Sequence, residues 1–334
     1  MKIEEDRVEF LSGIRNGETL GTPITLVVKN KDWENWKDIM AAEPGAKISQ
    51  RRVTKPRPGH ADLAGTIKYG YNDIRNTLER ASARETAIRV AVGALIQQFL
   101  KLFNINILAH VVSIGEIKAG VSYTYLSEDL YETPLYCADE EATEKMIELI
   151  DGAKARGDSL GGIVEVVVYN VPIGLGSHVH WDRRLDSRLA QALMSIPGIK
   201  GVEIGLGFDA AKLPGSKVHD EIVFSIDKGF YHLSNNSGGI EGGVTNGETL
   251  VLRAAMKPIP TLYKPLKSVD LDTKKSFLAS VERSDTCAVP AASIVAGAVT
   301  AFEIGRSFLE KFPGDTLEEI MNSYERYLNY LRQV

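Results

Sequence analysis

Residues 286–302 (TCAVPAASIVAGAVTAF) carry no charge and are mostly Ala, Val, Ser and Thr with one glycine. A helix with no polar stripe has to be covered on every side, and side chains this small let its neighbours approach the backbone closely. Asp285 and Glu303 flank the run, which falls short of the roughly 20 apolar residues of a membrane span. The segment is therefore predicted as a buried core helix over about 288–311, and no membrane partner is expected.

A second helix is predicted over 81–103 (ASARETAIRVAVGALIQQFLKLF), apolar nearly all round in its middle and expected to be central. Residues 7–30 read as a hairpin turning at Asn16-Gly17. Strands are predicted at 105–114, 163–171, 199–206 and 220–226, and helices at about 140–156, 182–196 and 316–332. Residues 234–248 (SNNSGGIEGGVTNGE) form a glycine-rich loop. No linker or low-complexity stretch interrupts the 334 residues, which predicts one α/β domain with a helical centre over 1–334.

The net charge of -5 argues against a surface given over to nucleic acid. Cys137 and Cys287 are the only cysteines, too few for a disulfide framework and in keeping with a reducing, cytoplasmic setting. The densest chemical signal is RPGHADLAGTIKYGYNDIRNTLERASARETAIRVAV, residues 57–92. Its cations, with Arg57, Arg80 and Arg84 among them, precede an apolar helix for which Ser82 is a candidate N-cap. A helix start favours anions and arginine binds phosphate or carboxylate through paired donors, so a small dianion is expected there. His60, between a Pro-Gly turn and Asp62, is a candidate acid because imidazole gains or loses a proton near neutrality.

Other motifs carry less. His178 and His180 share a strand face but lack a clear third metal ligand, and no metal is expected. Gly205-Leu206-Gly207 imitates a dinucleotide fingerprint, yet Pro214 and Gly215 stand where its helix would run. The basic loop 47–57 would suit an RNA-binding protein, a reading that requires salt-sensitive retention of RNA.

Three blocks together resemble the chorismate synthase family: RPGHADLAGTIKYG with RASARETAIRVA; GSHVHWDRRLD with KGVEIGLGF; and SNNSGGIEGGVTNGE through AAMKPIPTL to ERSDTCAVPA. The resemblance implies a fold of long helices sandwiched between antiparallel β-sheets, assembled as a homotetramer. It implies an anti 1,4-elimination of phosphate from 5-enolpyruvylshikimate 3-phosphate, giving chorismate, with reduced FMN as cofactor. NADPH as electron source and a flavin reductase as partner are implied with it. Residue by residue, His60 and Asp285 match the catalytic pair, and Arg57, Arg84 and Arg283 match substrate ligands. Arg80, Ala81, Ser82, Pro197, Gly198, Gly242, Arg283 and the segment Lys257, Pro258, Ile259, Pro260 and Thr261 match flavin contacts. The family also has an upstream strand bearing Gly-Glu-Ser-His-Gly and an Arg-rich loop, neither of which occurs here. A start codon assigned too far downstream is the expected cause. The same gap leaves a second reading, a degenerate relative that binds FMN or phosphate with little catalysis.

Overall fold

The computed structural model describes residues 4–279 and 284–334. It divides into two compact units, each assembled from three stretches of chain. One takes residues up to Ile88, Leu149–Leu160 and Pro258–Cys287; the other takes Arg89–Glu148, Gly161–Lys257 and Ala288–Val334. Because both are discontinuous, no composition shift marks a boundary in the sequence.

The larger unit is built on an antiparallel sheet of five strands, in the spatial order Ile117–Lys118, Asn106–Ile114, Gly162–Tyr169, Leu250–Met256 and Ile199–Ile204. Its three inner strands are buried at most consecutive positions, so both faces of the sheet are covered. The uncharged segment forms the helix Val289–Lys311, which packs along the strands Asn106–Ile114 and Gly162–Tyr169. Its glycine content lets it lie close: a Cβ on Gly297 would stand 3.2 Å from the Cβ of Ala109. Among the described residues it alone is long and apolar enough to cross a membrane, and 72% of its most apolar window is buried inside the fold. It is a core helix, as its composition predicts.

The opposite face of the sheet carries a lateral row of charge. His110, Glu165, Arg253 and Glu203 stand directly across from one another on four adjacent strands. Successive pairs approach to 3.0, 3.7 and 3.3 Å. The helix Leu185–Met194 buries Leu185, Leu189 and Leu193 against the core helix and the edge strand Ile199–Ile204, and Leu317–Leu331 closes the chain. A capping box at Thr316 and Glu319 starts this last helix. An aromatic cluster, Phe103, Phe308, Phe312 and Tyr324, fills the space beneath it with ring centroids 4.5 to 5.4 Å apart.

The smaller unit opens with the expected hairpin: Val8–Ser12 pairs with Thr25–Val28, and Asn16-Gly17 turns a short inner ribbon. Helices Asp62–Tyr69 and Arg75–Arg80 pack through Gly65 and Thr77, and Lys267–Val269 pairs with Ser276–Leu278. Two side chains tie residues 52–56 to this last ribbon. Arg52 pairs with Asp272 at 2.7 Å, and Thr54 donates to Asp270 at 2.8 Å.

The helix predicted over 81–103 begins at Thr86 and ends at Lys101, after a separate 3-10 turn at Ala83–Glu85. Of its residues only Gly93 and Leu100 are fully buried. The long buried rod is Val289–Lys311, whose smaller side chains permit closer packing.

Candidate active site

The centre of the smaller unit's chemistry is a turn. Arg57-Pro58-Gly59-His60 closes with the His60 N–H donating to the Arg57 carbonyl at 3.3 Å. Proline fits the second position of such a turn, and the third requires the positive φ that Gly59 adopts at 78°. The turn delivers His60 beside Asp62, the first residue of the helix Asp62–Tyr69.

Asp62 is 1% exposed and gathers the surrounding donors. The Arg57 backbone N–H and its Nε donate to Oδ2 at 3.0 and 2.9 Å, and Arg57 Nη2 donates to Oδ1 at 3.2 Å. His60 Nδ1 stands 2.6 Å from the same Oδ1. Burial pushes the Asp62 carboxyl up, but the hydrogen bonds from His60 and Arg57 outweigh it and hold the group well below the usual carboxylate range. Arg57 also donates through Nη1 to the Thr261 hydroxyl at 3.0 Å. The catalytic candidate His60, the substrate candidate Arg57 and the cofactor candidate Thr261 therefore meet in one network.

Arg84 belongs to a different network. It pairs with Asp6, donates to Glu4 at 3.1 Å and to the Lys29 carbonyl at 3.0 Å. Just before it, Ser82 accepts from the Arg84 N–H at 3.3 Å, so the expected cap forms on the 3-10 turn instead of the helix itself. Arg80 is exposed and Ala81 half-buried. Arg75 turns inward, 5.0 Å over the Trp36 ring and 3.2 Å from Glu79. The arginines around this helix start thus divide among separate partners.

Pro258, Ile259 and Pro260 form an irregular strip leading to Thr261, and the Ile259 carbonyl accepts from Ser159 at 2.7 Å. Asp285 is exposed, and Arg283 lies outside the described residues. In the larger unit, Pro197 and Gly198 precede the edge strand Ile199–Ile204, and the Lys257 N–H donates to the Gly198 carbonyl at 3.0 Å. Gly242 turns the small ribbon Ile240–Glu241 with Val244–Thr245 at φ 59°, and nothing stands within 4 Å of where its Cβ would be.

The basic loop behaves as structure. Lys47 pairs with Asp38 at 3.2 Å, Arg51 stacks 4.3 Å over Trp36 and Lys55 lies 4.6 Å over Phe277. His180 pairs with Asp182 at 2.8 Å. The residue that sequence reasoning passed over is Asp62; the signal was there in the His-x-Asp spacing next to a Pro-Gly turn.

A family model described as chorismate synthase matches residues 1–309. The chorismate synthase of Desulforamulus reducens is 60% identical over 338 aligned positions, which span 100% of this chain and 87% of that protein. That of Pelobacter propionicus is 57% identical over 342 positions, spanning 99% of this chain and 87% of that protein. A crystal structure of a chorismate synthase superposes with a TM-score of 0.76 at 43% identity, covering 98% of this chain and 85% of that one. With a matching family model, full-length relatives above half identity and a shared fold, the chain belongs to the chorismate synthase family.

Proposed function

We propose that the chain is a carbon–oxygen lyase that eliminates phosphate from 5-enolpyruvylshikimate 3-phosphate in an anti 1,4 sense, giving chorismate, with reduced FMN bound. The observation that carries this reading is the contact network joining His60, Arg57 and Thr261 through Asp62. It puts an imidazole that can hold a proton next to the strip expected to meet the cofactor.

The residues present fit such a cofactor. Gly242 offers an open backbone with no side chain to displace, and Pro258 to Thr261 form an irregular strip whose Thr261 hydroxyl is held by Arg57. The chemistry that bound reduced FMN would supply is a reversible loan of one electron to the substrate ring, returned as the ring gives up its proton toward N5, so that the elimination involves no net oxidation. The candidate cofactor contacts are Pro197, Gly198, Gly242 and Lys257 within the larger unit, and Pro258 to Thr261 within the smaller, with Arg80, Ala81 and Ser82 just ahead of its 3-10 turn. His60 would hold the proton that neutralises the reduced cofactor's pyrimidine edge. Asp285, within reach of water in the isolated chain, would act as the base serving N5. Arg283 would stabilise the charge that builds on the departing phosphate, and Arg84 would join it on exchanging Glu4 and Asp6 for the substrate anion. Arg57 has three of its nitrogens already engaged by Asp62 and Thr261, so its charge would act chiefly within the protein.

A homotetramer, a cytoplasmic setting, and NADPH or a flavin reductase as the source of reduced cofactor complete the proposal. The test is an anaerobic assay with dithionite-reduced FMN and the enolpyruvyl substrate. Phosphate and chorismate should appear in equal amounts; no release above a protein-free control would refute the reading.

A further inference from the structure

The carboxylate that organises the site has no role yet in the reaction, and its geometry is specific. We propose that Asp62 is a positioning residue: it fixes the proton on Nδ1 of His60 and so makes Nε2 the nitrogen that exchanges a proton with bound ligand. This inference deepens the proposed function and rests on it for its catalytic meaning.

Three observations carry it. The 2.6 Å separation between His60 Nδ1 and Asp62 Oδ1 is that of a charge-assisted hydrogen bond, in which Nδ1 must be the donor because an ionised carboxylate can only accept. Asp62 stays ionised, since it is buried against four donor contacts from Arg57 and His60. Finally, Arg57 Nη2 lies 3.1 Å from Nδ1 and 3.3 Å from Nε2 of the same ring. The in-plane lone pairs of those nitrogens diverge widely, so one atom nearly equidistant from both lies against the ring face. Arg57 therefore does not occupy the in-plane direction of Nε2.

The charged groups facing His60 therefore act in opposite directions. Asp62 favours the imidazolium; the Arg57 guanidinium on the ring face disfavours it. The adjoining strip Pro258 to Thr261 contributes no ionisable side chain. The carboxylate at Nδ1 leaves the neutral imidazole one tautomer, with its proton on Nδ1. A merely structural Asp62 would anchor Arg57 without affecting which ring nitrogen carries the proton.

The test is a long-range proton–nitrogen correlation spectrum of the flavin-free, full-length protein followed across pH 5 to 9. His60 is assigned by the signals that vanish in His60→Gln. In the parent, neutral His60 should show the Nδ1–H pattern. In Asp62→Asn its titration midpoint should fall by about one unit or more, and in Arg57→Gln it should rise by a similar amount. Opposite displacements cannot come from general loosening. If both variants leave the midpoint unmoved, shift it in the same direction, or find His60 protonated on Nε2 in the parent, the inference is overturned. Should Asp62→Asn fail to fold, the tautomer of the parent decides alone, because His60 protonated on Nε2 sinks the proposal. The spectra need no turnover, so they stand apart from the anaerobic assay: a parent that releases no phosphate refutes the function and leaves the positioning result intact. Where turnover is measurable, kcat in Asp62→Asn should lose its alkaline limb at lower pH, while the KM for substrate changes less than about threefold.

Discussion

Gly93→Ala is the sharpest test of how the core is assembled. A Cβ built on Gly93 would stand 2.5 Å from the Cα and 2.7 Å from the carbonyl oxygen of Ala298 in the core helix. Real carbon contacts need at least about 3.5 Å, and both obstructing atoms are backbone, which cannot rotate away. The two helices must part by about 1 Å along their line of contact, loosening neighbouring pairs such as Ile96 with Gly305. Overpacking of this kind costs about 1–3 kcal/mol, and the upper end applies when backbone is the obstacle. Alanine returns about 1 kcal/mol through its better helix propensity, leaving a net loss of about 2 kcal/mol. Urea unfolding followed by far-UV circular dichroism reads this as a lower midpoint at unchanged slope. Gly152→Ala is the control: its Cβ would meet only the flexible Arg156 Nη1 at 3.3 Å, so the substitution should stabilise by about 0.5–1 kcal/mol. Ala298→Gly should fail to rescue Gly93→Ala, because the Cα and carbonyl remain. A Gly93→Ala protein as stable as its parent, or one rescued by Ala298→Gly, would refute the backbone-contact argument.

The acid limb of stability should report Asp62. Its pKa is depressed in the folded chain, so its contribution is complete above the unfolded value of about 3.9 and lost as pH falls toward the folded one. The stability gap between parent and Asp62→Asn should be flat from pH 7 to about 5 and narrow below pH 4; a gap that widens in acid would contradict the assignment. His60→Ala is expected to lower kcat by roughly 10²–10⁴ while FMN affinity, measured by anaerobic titration, changes little; parent-like turnover would remove His60 from proton transfer. Asp285→Asn should slow turnover by roughly 10²-fold or more without altering FMN affinity, and an unchanged single-turnover rate would exclude it as the base.

The sequence made the periodic elements legible and the contacts between distant segments much less so. Strands at 106–114 and 162–169 fall on short apolar runs, and helices at 140–155 and 185–194 fall close to their predicted spans, because a local apolar pattern reflects what is buried. The helix start was displaced from residue 81 to Thr86, since a helical pattern does not distinguish a 3-10 turn from the first turn of an α-helix. At the site, the Pro-Gly turn and His60 were visible as a local motif. The pairing of Arg57 with Thr261 was not, because it joins segments 204 residues apart, held by the ties of Arg52 and Thr54 to the turn of the 267–278 ribbon and of that ribbon's Ser268 to the Pro56 carbonyl. Arg84 shows the complementary limit: charge counting cannot foresee that Glu4 and Asp6 would claim it.

The order of strands in the large sheet has a consequence for how the chain is made. Gly162–Tyr169 and Ile199–Ile204 are both neighbours of Leu250–Met256, which is synthesised after either of them. At about 5–20 residues per second a ribosome takes several seconds to cover the distance from the one to the other. Through that interval both strands wait with an open edge, the apolar Gly162–Tyr169 most exposed by it, and the buried helix of the core emerges later still. Nascent chains stalled between residues 205 and 250 should accordingly be those most strongly held by chaperones.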